Sequence, residues 1–402
     1  MSGLEAALPK EFYTDEQLWR TEIEQVWMRE WVCVGRRVDL GLDLPEQVAA
    51  VDVLGESVLI TSDAERRLHA VYNLCRHRGS QIVPVTDPTQ PSCAAAKVLR
   101  CPYHSWTYSL EGHLIRAPHT EDLDPPLDKS GFSLHPVEVD DWEGFLFVRL
   151  EGTTRRGVTS PAEISRSDGS RSDACARDDS ARDAALPGAT LKEATARASR
   201  TLANYAIGSL RTGLVLTYEV AANWKVVAEN YNECYHCGPV HPELCRLVPA
   251  FAGGGVDLDW DAGIEHREGA WTFTTTGTTN RAPLPGLDQA ERTRHKGELI
   301  YPNLMVSCSA DHVAAFRLVP TAVDRTTIEC RLLFAEDAVS APDFDPSDAG
   351  DLWDLVNRQD WAICESVQRG MSSRAYTGGW FAPMESESAD IRTWLLPRLG
   401  LR

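Results

Sequence analysis

Residues 97–115 read KVLRCPYHSWTYSLEGHLI. A short apolar run leads into Cys101-Pro102-Tyr103-His104, and WTYSLEGHLI follows as a hairpin with Gly112 at its turn. A C-x-x-H pair in a loop between strands is a metal-ligand spacing, and half of a site. The other half stands upstream, where AVYNLC (70–75) ends in Cys75-Arg76-His77, a C-x-H pair in a second loop.

Two thiolates and two imidazoles from paired loops suit a tetrahedral zinc. They also suit a two-iron, two-sulfide cluster whose one iron is held by cysteines and the other by histidines. The context favours the cluster. Each loop supplies one Cys and one His and continues in small or polar residues, CRHRGS and CPYHSW. This pattern resembles the Rieske iron–sulfur domain. The 23 residues between the pairs exceed the usual length, with the excess in DPTQPSCAAAK (87–97); Cys93 there has no His beside it.

The strand texture extends outward over about 32–150, in VAAVDVLGESVLITSD (48–63) and EGFLFVRL (143–150), and marks an all-β module. Before it, TDEQLWRTEIEQVWMREW (14–31) has helical spacing, with Thr14 as N-cap. After it, residues 152–188 are rich in Ser, Arg, Asp and Ala and poor in large apolar groups, a composition that predicts disorder; Cys175 there is assigned no role. A helical stretch near 191–206, a strand in LVLTYEVAANWK (214–225) and a helix in VVAENYNECYHC (226–237) follow. Residues 255–335 read as strands, including TFTTTGTT (272–279), and 347–371 as a long amphipathic helix. The expected division is 1–31, a helical segment packing on the second domain; 32–151, the cluster domain; 152–189, a linker; and 190–402, the second domain.

That second domain carries another constellation. His236 and His241 are five apart, about 140° out of register on an unbroken helix. Gly238 and Pro239 lie between them and would end or distort a helix, which lets His241 swing back. Cys234 and Cys237 form a C-x-x-C pair, read here as packing, since as metal ligands they would compete with His236. The H-E-x-x-H pattern of zinc hydrolases is absent. Two histidines and a carboxylate would make the open-sided triad of non-haem Fe(II) oxygenases.

The run NWKVVAENYNECYHCGPVHPEL (223–244) resembles the mononuclear-iron site of Rieske oxygenase α subunits. That resemblance implies an all-β Rieske domain plus an α+β catalytic domain with a central antiparallel sheet flanked by helices, assembled as a head-to-tail homotrimer. It implies Cys75, His77, Cys101 and His104 as cluster ligands and His236, His241 and Asp360, in RQDWAICESVQRG, as ligands of a mononuclear Fe(II). Asp351 and Asp354 are rivals on the same helix. Glu233 sits one turn before His236; in the family an acid here links a cluster histidine of one subunit to an iron-binding histidine of the next, and Glu is typical of members acting on quaternary ammonium compounds. The resemblance further implies electrons from NAD(P)H through a separate ferredoxin or flavin/iron–sulfur reductase, with O₂ and a small molecule as substrates.

ECYHC-x₃-HPEL and LIYPNLMVSCSADHVAAFRLVPT (299–321) look most like the glycine betaine, choline and stachydrine monooxygenase branch. Such a substrate wants an aromatic cage, for which Trp260, Trp271, Phe273, Tyr301 and Phe316 are candidates, with Asp311 or His312 meeting a substrate charge or supporting the site. The alternatives are an aromatic-ring or aromatic-acid hydroxylase and, from another class, a zinc-stabilised binding protein.

Composition bounds these readings. The formal charge of −19 over 402 residues argues against nucleic-acid and anionic-membrane partners. With no apolar signal core and eleven scattered cysteines, the chain reads as a reduced cytoplasmic protein. Residues 71–120 run against the overall charge, with Arg76, Arg78, Lys97, Arg100 and Arg116 facing Asp87 and Glu111, which suggests a docking patch for an acidic electron donor.

Overall fold

The computed structural model describes residues 3–84, 92–151, 187–255 and 258–401. Nearly all of the expected linker, Cys175 included, lies outside the described residues. The chain divides between two antiparallel sheets. The N-terminal one has seven strands in the spatial order Val32–Arg36, Phe145–Arg149, Pro136–Trp142, Leu68–Tyr72, Glu56–Ser62, Gln47–Val53 and Ser92–Ala95. Two of its hairpins close through Leu54-Gly55 and Glu143-Gly144, both residues of each pair at positive φ, the geometry that lets a two-residue turn follow strand twist.

A three-stranded sheet, Leu99–Arg100, Thr107–Tyr108 and Leu114–Arg116, sits beside it. Gly112 turns its second hairpin at φ 91°, and a Cβ there would lie 2.9 Å from Val71 Cγ1, so only glycine fits. Leu59, Val71, Leu99, Trp106 and Tyr108 form the small core shared by these two sheets, with Cys75 and Cys101 in it.

The second half is built on a six-stranded antiparallel sheet in the order Arg211–Val220, Arg325–Phe334, His312–Ala322, Leu304–Cys308, Arg294–Ile300 and Ile264–Glu265. The helices Trp224–Tyr231, Ser347–Met371 and Ser386–Arg398 bury apolar faces in the same core as this sheet's strands. Asn223 caps the first of them by accepting from Lys225 N. The N-terminal segment packs here: Trp27 meets Trp224 edge-on at 5.2 Å, and Glu22 pairs with Lys225 at 2.7 Å with neither side chain exposed. Asn303 ties the two halves together, its side chain bonding both backbone groups of Cys33.

Three local expectations change. The N-terminal helix is capped by Asp15, whose carboxylate accepts from Leu18 N, while Thr14 closes the preceding turn Glu11–Thr14; Ile23–Trp27 then winds as a π-helix. Residues 272–279 are a loop, not a strand, because Thr274 and Thr276 spend their hydroxyls on their own backbone around Gly277. The helix of 226–237 stops at Tyr231, since the Glu233 carboxylate takes the backbone N–H groups of Tyr235 and His236 into a turn.

Candidate metal centres and the adjoining cavity

The two Cys/His loops share one backbone design. Cys75 O accepts from Gly79 N and Cys75 N donates to Ser80 O; Cys101 O accepts from Ser105 N and Cys101 N donates to Trp106 O. The residue four beyond each cysteine has positive φ, 77° at Gly79 and 60° at Ser105. Each loop thereby sends its thiol inward and its imidazole outward. Both cysteines are 2% exposed, His77 and His104 are exposed, and the two rings lie 4.7 Å apart. Burial pushes the Cys75 thiol up, while the Tyr108 hydroxyl, 3.3 Å from its sulfur, works the other way.

Two thiols on the buried side and two imidazoles on the exposed side match an unsymmetrical cluster with a sulfur-held and a nitrogen-held iron. Among the described residues, the groups whose three donor atoms converge within 4.8 Å are elsewhere, a spread that suits two bridged metals better than one zinc.

One of those convergent groups is His236, His241 and Asp360. After Tyr231 the chain turns, His236 precedes the single turn Cys237–Val240, and His241 leaves it at φ −119° before Pro242 starts the next helix. The imidazoles are thus 5.1 Å apart despite their spacing. Asp360, on the Ser347–Met371 helix, places Oδ1 3.3 Å from His236 Nε2 and 2.8 Å from His241 Nε2.

Each ring is oriented from behind. His241 Nδ1 donates to Gln359 Oε1 at 2.8 Å, and Gln359 Nε2 donates to Glu243 at 3.1 Å, which fixes the amide. His236 Nδ1 donates to Glu233 Oε1 at 2.5 Å. Both Nε2 atoms are left for a common ligand, the arrangement of metal-binding histidines backed by acceptors. Burial alone would lower the pKa of His236, but Asp360 and Glu233 push it up to about 10. Asp354 is taken by Tyr218 and Arg358, and Asp351 is exposed; neither joins the histidines. The second convergent group, Asp63, His69 and Glu111, is a turn in which Asp63 accepts two backbone N–H groups and Arg67.

A cavity opens beside the triad between the sheet and the long helix. Phe273 and Phe316 line it, as expected, and so does Trp260. Trp271 does not; it packs against the core on the other side of the sheet. Tyr301 stacks on Trp394 at 4.8 Å in a separate cleft. Asp311 and His312 lie buried under the wall rather than in it: His312 accepts from Trp353 Nε1 at 2.9 Å and donates to Asp311, which also binds Thr272 and Arg281.

Sequence reasoning missed Trp353, Tyr231, His295 and Glu298 in the wall. Trp353 was legible as an aromatic two turns before Asp360 on one helix. Cys234 and Cys237, expected as packing thiols, are joined as a disulfide, their Cα atoms 4.9 Å apart in the turn around His236.

Comparison with known proteins gives the same two parts. Residues 30–128 match the Rieske [2Fe-2S] domain and 207–400 the catalytic domain of the ring hydroxylating alpha subunit. The glycine betaine monooxygenase oxygenase subunit of Pseudomonas aeruginosa is 26% identical, over 93% of this chain and 84% of that one. The carnitine monooxygenase oxygenase subunit of Escherichia coli (strain K12) is 25% identical, over 92% and 86%. The solved quaternary ammonium Rieske monooxygenase CntA with L-carnitine superposes at a TM-score of 0.66, 23% identical, over 98% of this chain and 94% of that one. Naphthalene 1,2-dioxygenase from Rhodococcus sp. superposes at 0.65, 16% identical, over 98% and 93%. Among the described residues no helix is long and apolar enough to cross a membrane.

Proposed function

The chain belongs to the Rieske-type oxygenases, and we propose that it is a terminal oxygenase component that hydroxylates an N-methyl quaternary ammonium compound. Its cofactors are a [2Fe-2S] cluster and a mononuclear iron. The observation that carries the reading is the convergence of His236, His241 and Asp360 beside an aromatic cavity. The donor set fits Fe(II), two imidazoles and one carboxylate with the rest of the sphere open. Cys75, His77, Cys101 and His104 hold the cluster. When bound, the cluster supplies single electrons and the iron binds and activates O₂.

The protein's own groups do the rest. Gln359 and Glu243 keep the His241 ring aligned, and Glu233 does so for His236. Burial of His241 keeps bulk water from its side of the reacting face, while Asp360 stays 17% exposed. Phe273, Phe316 and Trp353 offer aromatic ring faces to a trimethylammonium head.

Glu233 also borders a surface groove flanked by Tyr235, Ile363, Val367 and Trp380, all exposed. In a homotrimer a neighbouring subunit's cluster domain occupies this groove, and Glu233 joins that subunit's exposed histidine to His236. An acidic ferredoxin or reductase, drawing on NAD(P)H, docks on the cluster domain near Arg78 and Arg100, beside the face that meets the neighbouring subunit.

Similarity to the two solved folds does not choose the substrate, since both superpose almost equally. The choice rests on the cavity and on what the two relatives named above act on by name. The test supplies NADH, O₂ and a surrogate reductase. Quaternary ammonium compounds are expected to yield formaldehyde or aldehyde in step with NADH use, and Glu233→Ala to abolish turnover while retaining iron and sulfide. Hydroxylation of benzoate or naphthalene in place of these would overturn the reading.

A further inference from the structure

We propose that Cys234 and Cys237 form a further redox centre of this protein, a dithiol that reduces hydrogen peroxide arising in the cavity beside the triad. This rests on the oxygenase reading above and is independent of which substrate is hydroxylated. Neither candidate metal centre draws on the C-x-x-C pair, and the structure shows it closed as a disulfide.

The pair stands where such peroxide arises. Both cysteines line the cavity together with His236, His241 and Asp360, and they flank His236 in the sequence. No other cysteine is among the described residues lining it. Whenever O₂ in this cavity takes up two electrons and two protons and no substrate is hydroxylated, the product is hydrogen peroxide. Cys234 and Cys237 are 6% and 3% exposed, so peroxide meets their sulfurs from the cavity rather than from bulk solvent.

The turn suits two-electron chemistry. The two Cα atoms are 4.9 Å apart, and Cys237 N donates to Cys234 O at 3.1 Å, so each sulfur is held beside the other. First, one sulfur attacks a peroxide oxygen: an S–O bond forms, the O–O bond breaks, and one water leaves with that thiol's proton. The neighbouring sulfur then displaces the remaining oxygen: the S–S bond forms, the S–O bond breaks, and a second water leaves with the second thiol's proton. Two thiols have given up two electrons and two protons, and one peroxide has become two waters. An external dithiol reopens the pair by two exchanges and is itself oxidised to a disulfide.

The other described thiols outside the cluster loops lack the cavity. Cys33, Cys308, Cys330 and Cys364 are buried away from its lining. Cys245 donates to the Cys237 carbonyl at 3.3 Å from outside that lining, and Cys93 is exposed on the edge strand Ser92–Ala95. The cavity also holds a sulfur that peroxide would damage. Met305, on the Leu304–Cys308 strand, lines it, and a thioether takes up one oxygen to become a sulfoxide. A dithiol in the same wall removes the oxidant first.

The test uses the full-length protein with both metal centres loaded, reduced with dithiothreitol and then desalted. NADH, O₂ and a surrogate reductase are supplied without substrate, and catalase removes peroxide from bulk solution. Free thiols are alkylated and the peptides weighed. Cys234 and Cys237 are expected to pass from alkylated to disulfide-linked during turnover, and added dithiothreitol to restore their alkylation. Without catalase and with dithiothreitol present, the double variant Cys234→Ser, Cys237→Ser is expected to release several-fold more peroxide per NADH than the wild type and to gain an oxygen at Met305. Wild-type cysteines that stay alkylated throughout, or a double variant that releases no more peroxide and keeps Met305 intact, would overturn the proposal. Formaldehyde release from a quaternary ammonium compound in the same preparation would leave the oxygenase reading standing. No NADH use with any substrate, with the pair closing only on added hydrogen peroxide, would overturn both.

Discussion

His312 shows how a residue can matter to a cavity it never touches. Its Nε2 accepts from Trp353, so its proton sits on Nδ1 and goes to Asp311. Burial would raise the Asp311 pKa, but His312, Thr272 and Arg281 outweigh that and hold the carboxyl well below its usual range. The result is a fixed indole in the cavity wall. Replacing His312 with Phe strands the Trp353 N–H, at a cost of about 1–3 kcal/mol, and takes from Asp311 Oδ1 one of its two partners, leaving Thr272. KM for the cation is expected to rise several-fold with a smaller change in kcat, alongside a lower melting temperature. An unchanged KM would mean that Trp353 does not contact substrate. The sequence offered Asp311 and His312 as groups that meet a substrate charge or support the site, without choosing between the two roles. Alternation along a strand says which residues share a face, but it does not say whether that face meets a cavity or the core behind it.

At the scale of elements, the long helix was readable throughout, since its apolar residues keep a 3.6-residue period from Ser347 to Met371. The turn at Gly112 was readable because only a few residues accept positive φ. What escaped was set by side chains turning back on their own backbone, as at Glu233 and in the threonine loop around Gly277. The docking of the N-terminal segment depends on the Glu22–Lys225 pair, buried on both sides, with Trp224 Nε1 also donating to Glu22. Breaking one partner leaves a buried charge. Glu22→Gln is expected to destabilise the protein by about 3–5 kcal/mol, whereas Glu22→Met with Lys225→Met recovers most of that loss. Calorimetric unfolding of the two variants checks this, and equal melting temperatures for both would contradict it.

Over the whole molecule, the two candidate ligand patterns lie in separate halves of the chain, and this was legible because each announces itself by short-range spacing, C-x-H with C-x-x-H and H-x₄-H. The third member of the triad was not readable by spacing. Asp360 lies more than a hundred residues from His241 and is brought to it by the packing of the long helix over the sheet. Family resemblance supplied it, and the charges around the cavity appeared only once the strands were in register. The most direct measurement is iron and acid-labile sulfide per chain in the wild-type protein and in Asp360→Ala. About three irons and two sulfides are expected in the first, and about two of each in the second, with the red-brown cluster absorbance unchanged. A colourless protein holding zinc without sulfide, or an Asp360→Ala variant that keeps all its iron, would contradict the assignment of the two centres.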